Sequence, residues 1–449
     1  MGDLAKIFKA YDVRGVVPDE LDELTAEAVG AAFAEVTGAE SVVVAHDMRE
    51  SSVPLADAFI RGARSRGADV VHAGLGSTDL LYYASGSLGL PGVMFTASHN
   101  PARYNGMKMC RSGAVPIGGD TGLREIRDRA AELVGVTATA GGSLIEKDLL
   151  QGYAHHLRTL VDLTRVRPLK VVVDAGNGMG GHTVPAVFEG LPIELTPLYF
   201  ELDGAFPNHE ANPIEPQNLV DLQRAVVEGG ADIGLAFDGD ADRCWVIDER
   251  GESVSPSAVT ALVAARELAK YPGATVIHNL ITSLAVPEIV REHGGVPVRT
   301  RVGHSFIKAE MARTGAVFGG EHSAHYYFRD FWFADSGMLA ALHVLAALGE
   351  QERPLSEVVE VYSRYHASGE LNSAVADQGD ALRRVRAAFT GRGEFDELDG
   401  LTVTGPGWWF NLRASNTEPL LRLNAEAADE TEMKAIRDEV LAIVGRVSE

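Results

Sequence analysis

A serine and a histidine stand side by side in the segment Thr96-Ala-Ser-His-Asn-Pro101, directly after the apolar run at 91–95. Such a run is typical of a buried strand, and Ser, Asn and Pro favour turns. A turn at the end of a buried strand lifts a side chain out of the sheet, where an activated hydroxyl can act as a nucleophile. The pattern predicts this role for Ser98, with an ordinary turn as the alternative. His99 would point away from Ser98 if the chain there is extended.

Three aspartates alternate in Asp238-Gly-Asp-Ala-Asp-Arg243, after the apolar run at 231–237. If the chain turns tightly, as the small residues Gly239 and Ala241 permit, their carboxylates can converge on one cation. Oxygen ligands without Cys or His favour Mg²⁺, Mn²⁺ or Ca²⁺ over zinc. The alternative is a solvated acidic turn, in which the carboxylates would repel one another. We therefore predict a metal site at these aspartates.

A second polar segment, Gly319-Gly-Glu-His-Ser-Ala-His325, precedes the aromatic run at 326–328. On an extended chain Glu321, Ser323 and His325 share one face. A carboxylate, a hydroxyl and an imidazole aimed together suit a polyhydroxylated ligand, whose hydroxyls both donate and accept. A polar turn between two strands is the alternative interpretation.

The segment Arg413-Ala-Ser-Asn-Thr-Glu-Pro419 lies between apolar runs at 408–412 and 420–423. Arginine supplies paired donors, and hydroxyls and backbone N–H groups of a turn can close around phosphate oxygens. The segment therefore predicts a phosphate-binding turn, with a plain hairpin as the alternative.

A glycine pattern, Gly176-Asn-Gly-Met-Gly-Gly181, fits the dinucleotide-binding fingerprint and follows an apolar run at 169–173. Glu194 or Glu201 could then hold the ribose. The following segment is broken by Pro185, Gly190 and Pro192 and is short for a cofactor-binding helix. NAD or FAD binding is therefore a minor alternative.

Runs of β-branched residues at 41–45, 169–173 and 274–277 alternate with helix-like stretches such as 53–65. This alternation predicts βαβ units. From about residue 367 onward, runs at 401–404, 409–412 and 420–423 precede a helical segment at 430–444. The predicted fold class is α/β, with three related mixed α/β domains and a smaller C-terminal α+β domain around a central active-site cleft. The predicted domains are residues 1–142, 143–252, 253–366 and 367–449.

The chain of 449 residues carries a net charge of −23, and no basic cluster offsets it, which argues against nucleic acid as a partner. No apolar stretch approaches the roughly 18 residues of a membrane span, and the N-terminus lacks an apolar signal core. The two cysteines, Cys110 and Cys244, fit a reducing compartment. We expect a cytoplasmic protein without membrane contact.

In this order, the serine, aspartate, glutamate–histidine and arginine segments resemble those of the α-D-phosphohexomutases, in the phosphomannomutase/phosphoglucomutase branch. Tyr11-Asp-Val-Arg-Gly15 and Val302-Gly-His-Ser305 match two further elements of the family. The resemblance extends from residue 11 to residue 423. It implies an isomerase that interconverts hexose 1-phosphate and hexose 6-phosphate through a phosphoserine at Ser98, with hexose 1,6-bisphosphate as intermediate and activator.

The resemblance also implies roles for individual residues. One Mg²⁺ per subunit is expected at Ser98, Asp238, Asp240 and Asp242. Lys108, His304 and His325 are the candidates for proton transfer. The expected contacts to sugar phosphate are Tyr11, Arg14, Arg243, Gly303, Glu321, Ser323, His325, Arg413, Ser415, Asn416 and Thr417. The expected oligomeric state is a monomer or a homodimer.

The resemblance favours mannose phosphates as substrates, with a phosphoglucomutase or a phosphoglucosamine mutase as alternatives. The segment at 278–283 lacks the lysine that dual-specificity members carry after the first strand of the third domain, so the breadth of sugar specificity stays open. Ala241 and Ala324 stand where relatives frequently carry Gly. A non-catalytic sugar-phosphate-binding protein would need a damaged nucleophile or metal loop, and here both are intact.

Overall fold

The computed structural model describes residues 4–136, 141–375, 377–415 and 420–445. Contacts divide the chain into two compact units. The first consists of Met1–Val254 and Ser323–Val358, and the second of Ser255–His322 and Val359–Glu449. No helix among the described residues is both long enough and apolar enough to cross a membrane.

The first sheet of the first unit has seven strands in the order β1-β5-β4-β2-β3-β7, with β6 paired to β5. Strands β4, β2, β3 and β7 run parallel, whereas β5 is antiparallel to β4 and β1. Helices α2, α3 and α5 pack together over the apolar core of this sheet. The strands are β1 (Val13–Val16), β2 (Ser41–His46), β3 (Asp69–Leu75), β4 (Gly92–Phe95), β5 (Tyr104–Arg111), β6 (Val115–Pro116) and β7 (Leu144–Glu146), and the helices are α1 (Leu4–Ile7), α2 (Glu23–Thr37), α3 (Ser52–Ser65), α4 (Thr78–Leu88) and α5 (Arg124–Leu133).

The second sheet of this unit has five strands in the order β12-β11-β10-β8-β9. Strands β9, β8 and β10 are parallel, so their carboxyl ends lie at one edge, and β11 returns antiparallel to β10. The elements are α6 (Leu150–Leu160), β8 (Leu169–Asp174), α7 (Gly180–Phe188), β9 (Ile193–Leu198), α8 (Val220–Gly229), β10 (Ile233–Phe237), β11 (Cys244–Ile247) and β12 (Ser253–Val254).

Two short antiparallel strands and a buried helix complete the first unit. These are β16 (Tyr326–Phe328), β17 (Ala334–Asp335) and α12 (Gly337–Gly349), and the unit ends within α13 (Leu355–Glu360). Single helical turns lie at Ser112–Ala114, Gly119–Leu123, Pro216–Leu219 and Arg329–Phe331.

The second unit combines three parallel strands in the order β14-β13-β15 with an antiparallel sheet in the order β18-β22-β21-β20-β19. The elements of the parallel part are α9 (Pro256–Lys270), β13 (Thr275–Asn279), α10 (Ala285–Glu292), β14 (Val296–Thr300), α11 (His304–Thr314) and β15 (Phe318–Gly320). The elements of the antiparallel part are β18 (His366–Ala374), α14 (Gln378–Ala388), β19 (Glu394–Asp396), β20 (Leu401–Gly405), β21 (Trp408–Ala414), β22 (Leu420–Ala427) and α15 (Glu430–Val444).

The elements follow from local sequence signals. The helix α2 begins where the Asp22 carboxylate accepts from the Thr25 N–H, and it ends at Gly38, whose φ of 63° is favourable only for a residue without a β-carbon. Ser77 caps α4 in the same way.

The predicted strands beginning near residues 41, 169 and 274, and the predicted helix at 430–444, are confirmed to within a few residues. The predicted α/β fold class is also confirmed.

Candidate active site

Ser98 lies on a strained turn directly after β4. Its φ of 50° is in the left-handed region, and its backbone N–H donates to the Thr96 hydroxyl at 2.9 Å. The Ser98 hydroxyl is buried and donates to Asp238 Oδ2 at 2.8 Å. Left-handed backbone is unfavourable for a residue with a β-carbon, and such strain is concentrated at functional sites. The turn therefore presents the predicted nucleophile to the metal loop, defined here as residues 238–243.

His99 lies against Ser98, so the prediction that it points away was wrong. Its Nδ1 is 3.3 Å from Ser98 Oγ, because the chain is left-handed at Ser98 rather than extended. The same Nδ1 accepts from the Arg243 guanidinium at 2.5 Å. Burial, and then the charge of Arg243, lower the pKa of His99 to about 2, so the ring stays neutral. His99 thus helps to hold Arg243 in position.

A buried arginine that the sequence patterns do not single out fixes the serine turn. Arg49 donates to the carbonyl oxygens of Ser98 at 2.9 Å and of Asn100 at 2.7 Å, and also to those of Pro101 and Tyr104. Five N–H donors in a rigid planar fork allow one side chain to hold several carbonyl groups. The position of Arg49 just past the apolar strand β2 could have indicated this role. Strands β2 and β4 are parallel neighbours, so residues that follow them lie at the same edge of the sheet.

The three aspartates of the metal loop converge as predicted. Asp238, Asp240 and Asp242 are buried, and one carboxylate oxygen from each lies within 4.8 Å of the others. Ala241, in the middle of the turn, has a φ of 57°. A glycine would adopt this conformation without steric cost, so the β-carbon of Ala241 makes this turn a strained one.

Lys108 and Arg243 supply the fixed positive charge beside these carboxylates. The Lys108 ammonium donates to Asp240 Oδ2 at 2.7 Å and to Asp242 Oδ2 at 2.5 Å, and Arg243 donates to Asp238 Oδ2 at 2.7 and 2.9 Å. Burial alone would lower the pKa of Lys108, but Asp240 and Asp242 outweigh it and hold the pKa above its ordinary value. This direction is opposite to the one that a lysine acting as a base requires.

The carboxylates fit an additional cation. Burial, and then Asp240, raise the pKa of Asp242 well above its ordinary value, whereas Lys108 overcomes burial to lower the pKa of Asp240. The Oδ1 atoms of Asp240 and Asp242 are buried and accept no hydrogen bond from the described part of the chain. An all-oxygen donor set with excess negative charge and unused acceptors is the chemistry that Mg²⁺ prefers. A cation would satisfy both oxygens.

His325 lies beside the metal loop, with Nε2 at 4.0 Å from Asp242 Oδ1. Its Nδ1 is 3.1 Å from the Ser323 hydroxyl. The segment is not extended as the sequence pattern predicted, because residues 322–324 form a turn in which Ala324 has a φ of 62°. The buried Asp335 completes a second set of possible ligand atoms with Asp242 and His325.

Arg14 approaches the serine turn from the N-terminal strand. Its Nη1 donates to Asn100 Oδ1 at 2.8 Å, and its Nε donates to Asp12 at 2.8 Å. Tyr11 is half-buried in the bend that precedes β1. The first unit therefore contains ten of the predicted site residues: Tyr11, Arg14, Ser98, Lys108, Asp238, Asp240, Asp242, Arg243, Ser323 and His325.

Asp79 forms a second buried centre behind the metal loop, which the sequence patterns also do not single out. Its carboxylate accepts from the hydroxyls of Ser77, of Tyr153 at 2.7 Å and of Ser336 at 2.6 Å. The adjacent Thr78 donates its hydroxyl to Asp240 Oδ2 at 2.5 Å. Burial raises the pKa of Asp79 to about 6 despite these donors.

Glu321 belongs to the second unit and is held by its neighbours there. Its Oε1 accepts from Asn279 Nδ2 and from the Gly303 N–H, both at 3.3 Å. Asn279 is fixed in turn by the Thr282 hydroxyl, which donates to its Oδ1 at 2.7 Å. His304 begins the helix α11, and its side chain lies outside what the structure describes.

Arg413 lies at the end of β21 in the second unit. Its Nη2 donates to Glu370 at 2.5 Å, and its buried Nη1 has no acceptor among the described residues. An unpaired buried guanidinium N–H is costly unless a ligand accepts from it. The Ser415 N–H donates to the Leu420 carbonyl at 2.8 Å. Asn416 and Thr417 lie outside the described residues.

Comparison with protein families gives four matches, one after another along the chain. They are the alpha/beta/alpha domains I, II and III of phosphoglucomutase/phosphomannomutase at residues 5–134, 151–251 and 255–365, and the C-terminal domain at 370–443. Together they match far more than half of the chain.

Individual relatives agree with these matches. A phosphomannomutase from Salmonella montevideo is 40% identical over 448 residues, which cover 97% of this chain and 98% of that protein. A Xanthomonas campestris protein named "Phosphohexose mutases" is 42% identical, with 97% and 98% covered. The crystal structure of a phosphoglucomutase/phosphomannomutase family protein from Burkholderia thailandensis superposes with a TM-score of 0.90 at 34% identity, covering 99% of this chain and 97% of that one. The predicted resemblance is thereby confirmed: the chain is a mutase of the phosphoglucomutase/phosphomannomutase family.

Proposed function

We propose that the protein interconverts mannose 1-phosphate and mannose 6-phosphate through a phosphoserine at Ser98. One observation carries this proposal: the Ser98 hydroxyl is 2.8 Å from Asp238, inside a buried loop of three carboxylates flanked by Lys108 and Arg243. Phosphoryl transfer needs an acceptor oxygen surrounded by fixed positive charge, and this arrangement supplies both once a cation is bound. The names of the relatives support mannose as the sugar.

Asp238, Asp240 and Asp242, together with an oxygen at Ser98, would hold one Mg²⁺ per subunit. When bound, Mg²⁺ draws negative charge from the phosphoryl oxygens. Lys108 and Arg243 add charge that does not depend on the metal, because both are held by ion pairs with carboxylates. Lys108 is proposed to stabilise the transferred group as an ammonium, in line with the direction of its pKa shift.

The proposed reaction consists of two phosphoryl transfers. In the first, the bond from phosphorus to Ser98 Oγ breaks and a hydroxyl of the hexose monophosphate bonds to the phosphorus, giving hexose 1,6-bisphosphate. In the second, Ser98 Oγ bonds to the phosphorus at the other end of the sugar, the bond from that phosphorus to the sugar oxygen breaks, and the isomeric monophosphate leaves. Free hexose 1,6-bisphosphate would act as an activator by loading Ser98.

Each attacking hydroxyl must lose a proton, and we assign that proton to His325. Its Nε2 lies 4.0 Å from Asp242, whereas Nδ1 of His99 already accepts from Arg243. An imidazole exchanges protons near neutral pH. His304 stays an alternative.

We assign contacts with the sugar hydroxyls to Glu321, Ser323 and Gly303. We assign contacts with the phosphate that does not react to Arg413, Ser415, Asn416 and Thr417. Tyr11 and Arg14 are proposed to contact the substrate from the N-terminal domain.

We also propose four domains, at residues 1–142, 143–252, 253–366 and 367–449. Each of the four family matches falls within one of these ranges, which supports the division. Further proposals are a cytoplasmic location and a monomeric or homodimeric state.

A coupled assay with mannose, glucose and glucosamine 1-phosphates tests the proposed activity. The expected result is conversion of mannose 1-phosphate with the highest kcat/KM and loss of all turnover in Ser98→Ala. A higher kcat/KM for glucose 1-phosphate would instead favour a phosphoglucomutase on the same residues. Absence of turnover with every sugar phosphate, in protein loaded with Mg²⁺ and bisphosphate, would contradict the proposal.

A further inference from the structure

Residues 175–179 form a loop at the carboxyl end of β8, called the glycine loop here, and Gly180 and Gly181 of the glycine pattern begin α7. The glycine loop is separate from the proposed chemistry. Strand β8 is the parallel neighbour of β10, so the glycine loop lies beside the metal loop that follows β10. Loops that follow neighbouring parallel strands emerge at the same edge of a sheet. The topology alone therefore brings the glycine loop and the metal loop together.

The backbone N–H groups of the glycine loop already have acceptors within the protein. Gly176 donates to Asp174 Oδ1, Gly178 to the Ala175 carbonyl at 2.7 Å, and Met179 to the Gly239 carbonyl at 2.9 Å. A dinucleotide fingerprint works by offering such N–H groups to a pyrophosphate. The minor dinucleotide alternative therefore loses its structural basis, and the loop needs another role.

Close backbone contacts suggest that role. A β-carbon at Gly178 would lie 2.7 Å from the Gly239 carbonyl oxygen and 2.9 Å from its Cα. A β-carbon at Gly239 would lie 2.3 Å from the Ser98 carbonyl oxygen. The same Ser98 carbonyl accepts from Arg49. Three loops are thus in direct backbone contact, in the order glycine loop, metal loop and serine turn.

We infer that Gly178 is a positioning residue, whose missing side chain sets the distance between the metal loop and the serine turn. A side chain at Gly178 would meet the backbone of Gly239, which cannot swing aside as a flexible side chain can. Gly239 would then move relative to Ser98, and with it the neighbouring carboxylates of Asp238 and Asp240. This inference rests on the proposed function, because it assumes that the metal loop binds Mg²⁺.

The test compares two alanine variants of the full-length protein. Gly178→Ala should raise the Kd for Mg²⁺, measured by calorimetry, by about tenfold or more, since groups that support metal ligands commonly contribute 10- to 100-fold to affinity. It should lower kcat while KM for mannose 1-phosphate changes less than about twofold. Gly181→Ala is the matched control, because its β-carbon would lie 2.3 Å from the Phe200 carbonyl rather than against the metal loop. The control should lose stability with little change in Kd.

Unchanged Mg²⁺ affinity in Gly178→Ala, or an equal loss of affinity in both variants, would overturn the inference. Hydrogen exchange in the wild-type protein covers the case in which the variants do not fold. The Met179 amide donates to Gly239, so addition of Mg²⁺ should slow hydrogen exchange at this amide. If Mg²⁺ slows exchange at 238–242 but leaves exchange at the Met179 amide unchanged, the inference is also overturned. If Mg²⁺ does not bind the wild-type protein at all, the metal role in the proposed function fails instead.

Discussion

The metal loop and the arginine at the end of β21 both handle phosphate in our account, yet they are built differently. Around Ser98, the cationic groups of Lys108 and Arg243 are already paired with carboxylates, and the buried atoms that stay unpaired among the described residues are acceptors, Oδ1 of Asp240 and of Asp242. Arg413 instead keeps one buried N–H group without an acceptor among the described residues. The cationic groups that we propose to stabilise the transferred phosphoryl group are thus fixed before substrate arrives, whereas the arginine that we propose to bind the other phosphate keeps one N–H donor unused. Fixed charge of this kind is what phosphoryl transfer requires.

Among the substitutions considered, Asp240→Asn should cause the largest loss of activity. The change removes the negative charge that faces Lys108 and replaces one of the two carboxylate oxygens with an NH2 group, which cannot bind a cation. We expect kcat to fall by about 100- to 1,000-fold, in the range found when one electrostatic group of an active site is lost. Chelation should abolish wild-type turnover and Mg²⁺ should restore it.

The control for this change is Asp429→Asn, at the N-cap of α15, where asparagine caps equally well. Steady-state kinetics measure the activity of both variants, and thermal unfolding measures their stability. Full activity with reduced stability in Asp240→Asn would show that the aspartates form a structural turn.

Arg413→Ala should have a smaller effect that is the same for every sugar. Charge-assisted hydrogen bonds contribute about 1.5–3 kcal/mol, so we expect kcat/KM to fall roughly 10- to 150-fold for both mannose and glucose phosphates. Part of the loss should appear in kcat, because binding of the remote phosphate also orients the reacting hydroxyl. The measurement is kcat/KM for both sugars, and a large change in their ratio would contradict the assignment.

Glu321→Gln should change the preference between sugars instead. Its carboxylate accepts from Asn279 and from the Gly303 N–H, and a carboxylate held in place can accept from sugar hydroxyls. Loss of its charge should alter the ratio of kcat/KM for mannose and glucose phosphates by about fivefold or more. If Glu321→Gln preserves that ratio while Arg413→Ala changes it, the two roles have been assigned in reverse.

Asp79→Asn should affect stability more than catalysis. Burial raises the pKa of Asp79 in the folded protein to about 6, from an ordinary value of 3.8, so the folded state binds more protons between these values. The contribution of Asp79 to stability is therefore fully present below about pH 4 and is lost as the pH rises through 6. Relative to Asp79→Asn, the wild-type free energy of unfolding should fall by about 2 kcal/mol between pH 4 and pH 7. Urea unfolding of both proteins across this range tests the sign, and a wild-type protein that gains stability relative to the variant would contradict it.

The sequence predicts those parts of the site that depend on one short segment. The convergence of Asp238, Asp240 and Asp242 follows from their spacing and from the small residues between them, and the structure shows it. Arg49 and Asp79 were missed because their partners are distant in sequence, and only the pairing of strands and helices brings them together. The turn at 322–324 was only the alternative interpretation of its segment, because alternation of polar residues suits a strand as well as a turn. No sequence pattern indicates that an alanine such as Ala324 adopts a left-handed backbone conformation.

The phosphorylation state of Ser98 tests the central claim most directly. The protein is incubated with Mg²⁺ and mannose 1,6-bisphosphate, and intact-protein and peptide mass spectrometry locate any phosphate, with Ser98→Ala as the control. We predict one phosphoryl group on Ser98 of the wild-type protein and none on the control. We also predict that mannose 1-phosphate removes this group at a rate no slower than kcat. Phosphate on another residue, or wild-type turnover in Ser98→Ala, would contradict the account.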